Sequence, residues 1–448
     1  MSVMDVQKIP EGYNQTDVGV IPEDWKVARL NEVCSFGGGT TPPRSEHDRY
    51  FVNGSHNWIK TTDLNNSRIE ISDEQITDLA ISDTGLKKHP IGTILVAMYG
   101  GFNQIGRTGY ITRPSAINQA LVAVKPKSKK LDSYYLLSDL NYNVNYWKGV
   151  ASSSRKDPNI TSMDVKNYFI ALPTIKEQTA IANALSDVDA LIVALESLMA
   201  KKGAIKTAAM QQLLTGKQRL PSFAQTVDGK AKGYQQTELG EIPVDWEVVG
   251  LGALFESKVS RKRLSEHFEV SFVGMQDVTE SARIRNYHKV KYGDVKSGFT
   301  YFERYDVLVA KITPCFENGK GAYVDAIGTP VGFGSTEFHV LRATENVDSK
   351  YLYYFTNTER FRKELERGMV GSAGHRRVPF TSIQKYQVAV TSNKEEQTAI
   401  ANVLSDMDTE LDALQQRLSK TQQIKQGMMQ ELLTGKTRLL PSEKNHDT

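Results

Sequence analysis

The chain repeats two segments at one constant spacing. The heptapeptide EQTAIAN at 177–183 recurs at 396–402, and the pentapeptide LLTGK at 213–217 recurs at 432–436, in both cases 219 positions later. One inserted residue would rotate the apolar face of a helix by about 100°, so a segment that keeps its length through a duplication is typical of a long packed helix. The repeat therefore predicts one long helix in each half of the chain.

We place these helices at 176–214 and 395–433, where apolar side chains recur at three- and four-residue spacing. Polar residues fill the other positions, as they do on the helices of bundles and coiled coils. Gly216 and Gly435 follow as C-terminal signals, with a proline shortly beyond each. The predicted contact face of the helices, toward each other and toward partner chains, comprises Ile181, Leu185, Val188, Ile192, Leu195, Ile400, Leu404, Met407, Leu411, Leu414 and Leu418.

A globule precedes each predicted helix. The segment GVIPEDW at 19–25 is matched by GEIPVDW at 240–246, and both copies keep a tryptophan that we expect to anchor a core. Short β-branched runs between Gly, Pro and Asn predict strands, with helices near 133–147 and 349–367. The predicted fold class is therefore α+β: two strand-rich, mixed α/β globules joined by two long helices in a pseudo-two-fold internal repeat.

The linker between the two halves limits how the helices can pack. Each helix would extend roughly 58 Å at about 1.5 Å per residue, whereas the linker at 221–236 reaches at most roughly 53 Å when fully extended. Parallel helices would put the second globule a full helix length from the end of the first helix. We therefore predict an antiparallel coiled coil with one globule at each end.

Composition limits the possible functions of the 448-residue chain. Lysine and arginine number 55 against 52 acidic residues, which gives a net charge of +3. This charge is small for a protein that binds DNA without the help of partner subunits. No apolar run is long enough to span a bilayer and no signal peptide is visible, so we expect a cytoplasmic protein that meets no membrane. The two cysteines lie far apart and offer no disulfide framework.

Signatures of catalysis are missing from the sequence. The TGKT at 434–437 lacks the first glycine of a phosphate-binding loop, because position 430 is glutamine. No glycine-rich methyl-donor motif follows a strand, and the eight histidines show no zinc-ligand spacing. We therefore expect no catalytic residue, no metal and no cofactor.

Several segments resemble the specificity (S) subunit of type I restriction–modification enzymes. They are AKITPCFENGK at 310–320, GFGSTEFHVL at 332–341, and the Glu-Gln-x-x-Ile opening of the two helices at 177–181 and 396–400. The first globule departs from the pattern, since MYGGFNQIG stands at 98–106. The resemblance covers nearly the whole chain.

This resemblance implies a prokaryotic, cytoplasmic protein that performs no chemistry itself. Each globule would read one half of a bipartite double-stranded DNA target, while the helical pair sets the spacing and docks two methyltransferase (M) subunits. Restriction/translocase (R) subunits would join the full complex, which has DNA adenine methyltransferase and ATP-dependent endonuclease activity. The alternative is a duplicated coiled-coil scaffold whose globules bind proteins.

With this interpretation the chain divides into six parts. They are target-recognition domain 1 (1–171), the central conserved helix (172–220), a linker (221–236), target-recognition domain 2 (237–391), the distal conserved helix (392–435) and a C-terminal tail (436–448). The first and fourth parts are the predicted DNA readers, and the two helical parts form the predicted spacer.

Side chains that suit base edges cluster in two regions of each domain. Arginine and lysine pair with guanine, and asparagine and glutamine pair with adenine. The predicted DNA-binding residues are Lys60, Thr61, Thr62, Asn103, Gln104 and Arg107 in the first domain, and Gln276, Lys311, Thr313, Asn318 and Lys320 in the second. Asp63, Asp277 and Glu317 lie beside them. The alternative for each region is a solvated hairpin without DNA contact.

A loop that follows a short helix in each domain suits phosphate. Gly149 opens the first loop and Gly368 opens the second, 219 positions later, and both loops contain several glycines or serines. Exposed backbone amides beside arginine or lysine form a phosphate-binding arrangement. The predicted contacts are Ser153, Arg155, Lys156, Ser372, His375, Arg376 and Arg377. A helix-exit loop with incidental basic residues is the alternative.

Overall fold

The computed structural model describes four stretches of the chain, residues 9–127, 129–151, 159–372 and 374–440. The chain divides into two compact units: unit 1 comprises Met1–Ser197 with Gln416–Thr448, and unit 2 comprises Leu198–Gln415. Each unit thus holds one globule and a part of both long helices, and the six-part division stays a prediction. Among the described residues, no helix combines the length and the apolar character that crossing a membrane requires.

Unit 1 is built mainly from short strands. They are β1 (Tyr13–Thr16), β2 (Gly19–Pro22), β3 (Lys26–Arg29), β4 (Cys34–Gly37), β5 (His56–Ile59), β6 (Ser67–Ile69), β7 (Gln75–Ile76), β8 (Ile94–Ala97), β9 (Thr108–Ile111), β10 (Ala116–Ile117), β11 (Leu121–Pro126) and β12 (Phe169–Leu172). Its short helices are α1 (Leu30–Val33), α2 (His47–Tyr50), α3 (Asp78–Thr84), α4 (Ser133–Tyr142), α5 (Val144–Ala151) and α6 (Ser162–Asn167). The first long helix, α7 (Ile175–Leu213), begins in unit 1 and ends in unit 2.

A five-stranded sheet in the order β4-β11-β8-β9-β6 forms the centre of unit 1. Strand β8 reads ILVA and β11 begins LVAV, and such continuous apolar runs are typical of strands that are covered on both faces. The two strands are antiparallel, with Val124 opposite Ile94. A second sheet, in the order β10-β5-β7, buries Trp58 edge-on against Phe51.

Unit 2 follows a similar plan. Its strands are β13 (Tyr234–Thr237), β14 (Gly240–Pro243), β15 (Trp246–Gly250), β16 (Glu269–Val273), β17 (His288–Lys291), β18 (Thr300–Glu303), β19 (Val307–Ala310), β20 (Gly321–Tyr323), β21 (Val331–Gly334), β22 (Phe338–Leu341) and β23 (Gln387–Thr391). Its short helices are α8 (Tyr292–Val295), α9 (Ser349–Thr356), α10 (Glu359–Arg367) and α11 (Phe380–Lys385), and the second long helix, which ends in unit 1, is α12 (Lys394–Leu432).

The strands of unit 2 form a four-stranded sheet in the order β17-β16-β21-β18 and a three-stranded sheet in the order β20-β19-β22. Strand β19 reads VLVA and is buried along its whole length, as β8 is in unit 1. The first hairpin of each globule also matches, because Thr16 faces Gly19 in β1-β2 and Thr237 faces Gly240 in β13-β14. The duplication seen in the sequence is therefore a duplication of structure.

Both predicted long helices are confirmed. Helices α7 and α12 have 39 residues each and start one residue before the predicted positions. In unit 1 they run antiparallel: Glu177 at the start of α7 bonds to Arg438 just past the end of α12, and further along α7 Asp189 bonds to Lys425. Residues further along α7 therefore pair with residues closer to the start of α12.

The same helices are antiparallel in unit 2. Glu396 near the start of α12 bonds to Arg219 beyond the end of α7 at 2.7 Å, and Asp408 bonds to Lys206 at 2.6 Å. The side chains of Arg219 and Glu396 are only 3% and 1% exposed. Antiparallel pairing is thus confirmed within each unit, and the fold class is α+β as predicted.

A tryptophan anchors the end of a long helix in each unit. Trp25 and Trp246 are buried, as predicted for core residues. A Cβ on Gly435, which follows α12, would lie 3.2 Å from Trp25, and one on Gly216, which follows α7, would lie 2.5 Å from Pro243 and 3.0 Å from Trp246. Both glycines have a positive φ, 69° and 70°. Close approach and backbone conformation together explain the two glycine C-terminal signals.

Two short helices replace each single helix predicted near 133–147 and 349–367. The first segment breaks at Asn143, which closes α4. The second breaks because the hydroxyl of Thr358 accepts a hydrogen bond from the amide of Phe361 and so starts a new helix, α10. The helices therefore end earlier than the spacing of apolar residues predicted, because capping residues interrupt them.

The loop predicted to begin at Gly149 does not begin there. Helix α5 continues through Gly149 to Ala151, so this prediction was wrong at its first residues. Trp147 and Ala151 are both buried in the core of unit 1, and this packing holds the last turn of the helix.

Candidate nucleic-acid interface

Each unit carries a loop with one backbone plan beside its buried central strand. We call these the hairpin loops: 98–107 joins β8 to β9 in unit 1, and 311–320 joins β19 to β20 in unit 2. In both, the amide of the last strand residue donates to the carbonyl of the last loop residue, at 2.9 Å in unit 1 and 3.1 Å in unit 2. Two different sequences therefore share one loop closure.

A second matching element is a 3-10 turn, at 61–63 in unit 1 and at 275–277 in unit 2. The aspartate that ends each turn accepts the backbone amide three residues earlier, at 2.7 Å for Asp63 and 2.8 Å for Asp277. These carboxylates hold the turns in place, which presents the neighbouring polar residues at a fixed position.

A third matching contact joins each hairpin loop to a residue beyond the short helices, Ile160 in unit 1 and, in unit 2, Val378 at the end of the exit loop that begins at Gly368. The amide of Ile160 donates to the carbonyl of Met98 at 3.1 Å, and the amide of Val378 donates to that of Lys311 at 2.9 Å. Met98 and Lys311 both open their hairpin loops, so Ile160 and Val378 contact equivalent positions. Outside the described residues lie three predicted phosphate contacts, Ser153, Arg155 and Lys156.

In unit 2 the three elements are bonded to one another. The amide of Thr313 donates to the carbonyl of Arg376 at 3.0 Å, and the amide of Arg376 donates to the hydroxyl of Thr313 at 3.1 Å. The ammonium group of Lys320 donates to the carbonyl of Met275 at 3.1 Å. The structure therefore gathers the residues predicted in unit 2 on one surface.

Those residues differ in exposure. Thr313 is only 7% exposed, and its hydroxyl is engaged by the exit loop. The half-buried residues are Lys311, Lys320 and Arg376. The exposed residues are Gln276, Asn318, Ser372, His375 and Arg377. The exposed side chains of Gln276 and Asn318 can reach a ligand without any rearrangement.

In unit 1 the hairpin loop lies against the 61–63 turn. The hydroxyl of Thr61 is 3.9 Å from the position that a Cβ would take on Gly100. The side-chain oxygen of Gln104 is buried and has no hydrogen-bond partner among the described residues. Of the predicted contacts, the half-buried ones are Lys60, Thr61, Gln104 and Arg107, and the exposed ones are Thr62 and Asn103.

Carboxylates bind three of the predicted cations. Glu74 binds Lys60 at 2.6 Å, Glu317 binds Arg376 at 2.8 Å, and Glu337 binds Arg377 at 2.8 Å. Hydrogen bonds from Arg44 are the main cause that lowers the pKa of Glu74 to about 2. Hydrogen bonds from Arg377 likewise lower the pKa of Glu337. Glu74 and Glu337 are therefore ionised at neutral pH.

Sequence reasoning missed Arg44, Glu74 and Glu337. Arg44 and Glu74 are 30 positions apart, and no local pattern connects them. The guanidinium of Arg44 also lies over the ring of Phe51 at 4.4 Å, a cation–π contact that fixes its place. Glu337 stands within the segment 332–341 that carried the resemblance, so that segment was an available signal.

The two surfaces present different side chains. Tyr99 and Phe102 on the hairpin loop of unit 1 are 44% and 49% exposed, whereas Phe316 on that of unit 2 is buried. Unit 2 instead has an open cavity of about 530 Å³ lined by Lys311 and His339 among others. Burial is the main cause that lowers the pKa of His339 to about 4, so its ring is neutral at physiological pH.

The apolar residues predicted as the contact face of the long helices are all buried or half-buried. Ile181, Leu185 and Ile400 pack into the cores of their own globules, with Leu404 beside Ile400. Leu195 and Leu418 are buried too. The half-buried members are Val188, Ile192, Met407, Leu411 and Leu414. Within the stretches that the structure describes, no group of three or more His, Cys, Asp or Glu residues could hold a metal ion.

Comparison with known proteins matches both halves of the chain. The family model described as type I restriction modification DNA specificity domain matches residues 22–206 and again 243–426. A putative type I restriction enzyme specificity subunit, MjaX of Methanocaldococcus jannaschii, is 24% identical over 440 residues, which cover 96% of this chain and 97% of that protein. The EcoAI specificity subunit of Escherichia coli is 36% identical over 141 residues, 31% of this chain and 24% of that protein.

Solved structures share the fold. The crystal structure of the type I restriction–modification system S subunit from M. genitalium has a TM-score of 0.59 to this chain at 14% sequence identity. The match covers 95% of this chain and 97% of that one, so the likeness extends over both globules and both long helices.

Proposed function

Because the chain belongs to the type I restriction modification DNA specificity domain family, we propose that it is the DNA-reading subunit of a type I restriction–modification complex. The family's domain is present twice. Each copy reads one half of a bipartite double-stranded target, and the antiparallel helical pair sets the spacing between the halves.

One observation supports this proposal more than any other. Both units have the same hairpin-loop closure, the same aspartate-held turn and the same backbone contact from Ile160 or Val378 to the hairpin loop, but they carry different side chains on the loops and turns. A shared backbone frame with different polar groups is what two readers of two different sequences require, because hydrogen bonds to base edges carry the specificity.

The side chains divide into two proposed roles. Exposed amides such as Asn103, Gln276 and Asn318 suit adenine, and the cations of the hairpin loops suit guanine. The predicted phosphate contacts, including Ser372 and Arg376, hold the phosphate backbone and so position the reader without selecting a sequence.

The family implies the chain's partners, and the weak charge of the chain agrees with them. A net charge of +3 provides little phosphate neutralisation by itself. Two M subunits docked on the helical pair, with R subunits in the full complex, supply further contacts and all of the catalysis: adenine methylation and ATP-dependent cleavage. The chain contributes no catalytic residue or cofactor, and its place is the prokaryotic cytoplasm.

Methylation mapping tests this proposal. Genomic DNA from cells that carry the chain with its partner subunits should show modified adenines in one bipartite motif, with two defined halves around an unspecified spacer. Cells that lack only this chain should lose that modification. An unchanged methylation pattern after its removal would favour a protein-binding scaffold instead.

A further inference from the structure

Acidic side chains are unexpected on a surface that meets DNA. Phosphate repels carboxylate, yet Glu74, Glu317 and Glu337 lie among the proposed contact residues. Their side chains are 29%, 27% and 26% exposed, so all three can meet a ligand. Ion pairs at such exposure contribute little to stability, and folding alone therefore does not account for them.

The pair Glu337–Arg377 shows which hydrogen-bond donors these carboxylates bind. The Nε of Arg377 lies 3.2 and 3.0 Å from the two carboxylate oxygens of Glu337, and its Nη2 lies 2.8 Å from Oε1. This fork of parallel N–H donors is the one that arginine uses to bind phosphate or the O6 and N7 atoms of guanine. Glu337 therefore holds the donors that DNA would need.

The other two carboxylates also accept hydrogen bonds from cations, although with different geometries. Glu317 accepts from the Nη2 of Arg376 at 2.8 Å. Glu74 accepts from both terminal nitrogens of Arg44, at 2.6 and 2.8 Å, and from the ammonium group of Lys60 at 2.6 Å. Unit 1 and unit 2 thus use the same device on surfaces that otherwise differ.

We infer that Glu74, Glu317 and Glu337 are specificity-determining residues, which keep the cations of the reading surface from binding DNA indiscriminately. The inference rests on the proposed function. On non-target DNA, a cation that moves from carboxylate to phosphate leaves an unpaired carboxylate facing the negative backbone, so the exchange brings little gain. On the target, a released carboxylate accepts a hydrogen bond from the N4 amino group of a cytosine, and the exchange becomes favourable.

The test compares the complex carrying Glu337→Gln with the wild-type complex on two duplexes. One duplex carries the motif found by methylation mapping, and the other is poly(dI-dC). The variant keeps the shape of the side chain but removes its charge and frees Arg377. Its affinity for poly(dI-dC) should rise about fivefold, and the plot of log affinity against log salt should steepen by about 0.9, the value for one added phosphate contact. Its preference for the target should fall.

Two further variants separate the mechanism from net charge. Glu359→Gln is the matched control, because Glu359 pairs with Lys363 on the exposed side of α10 and its loss changes the charge by the same amount. It should leave the affinity for poly(dI-dC) at the wild-type value. In an Arg377→Gln background, Glu337→Gln should leave the salt slope unchanged and should raise the affinity by less than it does in the wild type, because only the repulsion of the carboxylate is removed and no cation is freed.

Several results would overturn the inference. They are an unchanged or weaker affinity of the Glu337→Gln complex for poly(dI-dC), an equal rise with Glu359→Gln, and an equal rise in the Arg377→Gln background. Glu74→Gln repeats the test in unit 1 and should steepen the salt dependence by up to about 1.8, because it frees both Arg44 and Lys60. A wild-type complex with no preference for the mapped motif would instead contradict the proposed function.

Discussion

Asp139 of α4 is a carboxyl group buried in unit 1, 5% exposed. The hydroxyl of Tyr168 donates to it at 2.7 Å, and the side-chain amide of Asn143 approaches it at 3.4 Å. Burial is the main cause that raises the pKa of Asp139 from 3.8 to about 7, and these two hydrogen bonds oppose the rise. The native state therefore keeps a proton that the unfolded chain loses near pH 4.

This difference in proton binding makes the stability of unit 1 depend on pH. Between about pH 4 and pH 7 the native state binds more protons at Asp139 than the unfolded state does, so the free energy of unfolding falls as pH rises, by up to about 1.4 kcal/mol per pH unit. Above about pH 7 this contribution no longer changes. Asp139→Asn should flatten the dependence in that window.

Urea unfolding of both proteins across the window measures the effect. Carboxyls with a lowered pKa, such as Glu74, make the free energy of unfolding rise with pH, and they act at lower pH. Subtracting the variant's free energy of unfolding from that of the wild type at each pH removes their contribution. A difference that stays constant across the window, or that increases with pH, would contradict the assignment to Asp139.

At the scale of the elements, the long helices were the most predictable feature. Their constant spacing and apolar periodicity located α7 and α12 to within one residue. The shorter helices were less predictable, because their ends depend on single contacts such as the capping hydroxyl of Thr358 or the burial of Trp147. A sequence pattern averages over several residues and does not resolve such contacts.

The candidate site was only partly predictable in its charged residues. Lys60 stood out because lysine suits guanine, and Arg376 and Arg377 stood out because basic residues near glycine or serine suit phosphate. Glu317 lay beside the predicted contacts, but Glu337 did not stand out, since it lies 40 positions from Arg377 and meets it only in the folded unit. Arg155 and Lys156 lie outside the described residues, so those two contacts stay predictions.

The contact between the end of α7 and the start of α12 gives an element-scale prediction. Arg219→Ala should lower the free energy of unfolding of unit 2 by about 3–5 kcal/mol, because it leaves the buried carboxylate of Glu396 without its cation. Lys363→Ala removes an exposed cation from an ion pair on α10 and serves as the control, with an expected change under about 0.5 kcal/mol.

Thermal and urea unfolding of the two variants provide the comparison. A loss for Arg219→Ala no larger than that for Lys363→Ala would show that the pair with Glu396 does not hold the helix ends together. The same contact recurs in unit 1 as Arg438 with Glu177, although the Arg438 side chain is 22% exposed, so Arg438→Ala is expected to cost less.

At the scale of the whole molecule, the duplication separates what is constant from what varies. The helix openings repeat without change, and their glutamates are buried in contacts that hold each unit together. The reading surfaces differ, with exposed aromatic rings in unit 1 and an open cavity in unit 2. The account therefore predicts that the two halves of the target are read independently.

Exchange of residues 35–150 for the equivalent region of a relative with a different target tests this claim most directly. Methylation mapping of cells carrying the exchanged chain should show a motif in which one half has changed, while the other half and the spacer are as before. A motif altered in both halves, or one that does not respond to the exchange, would contradict the account.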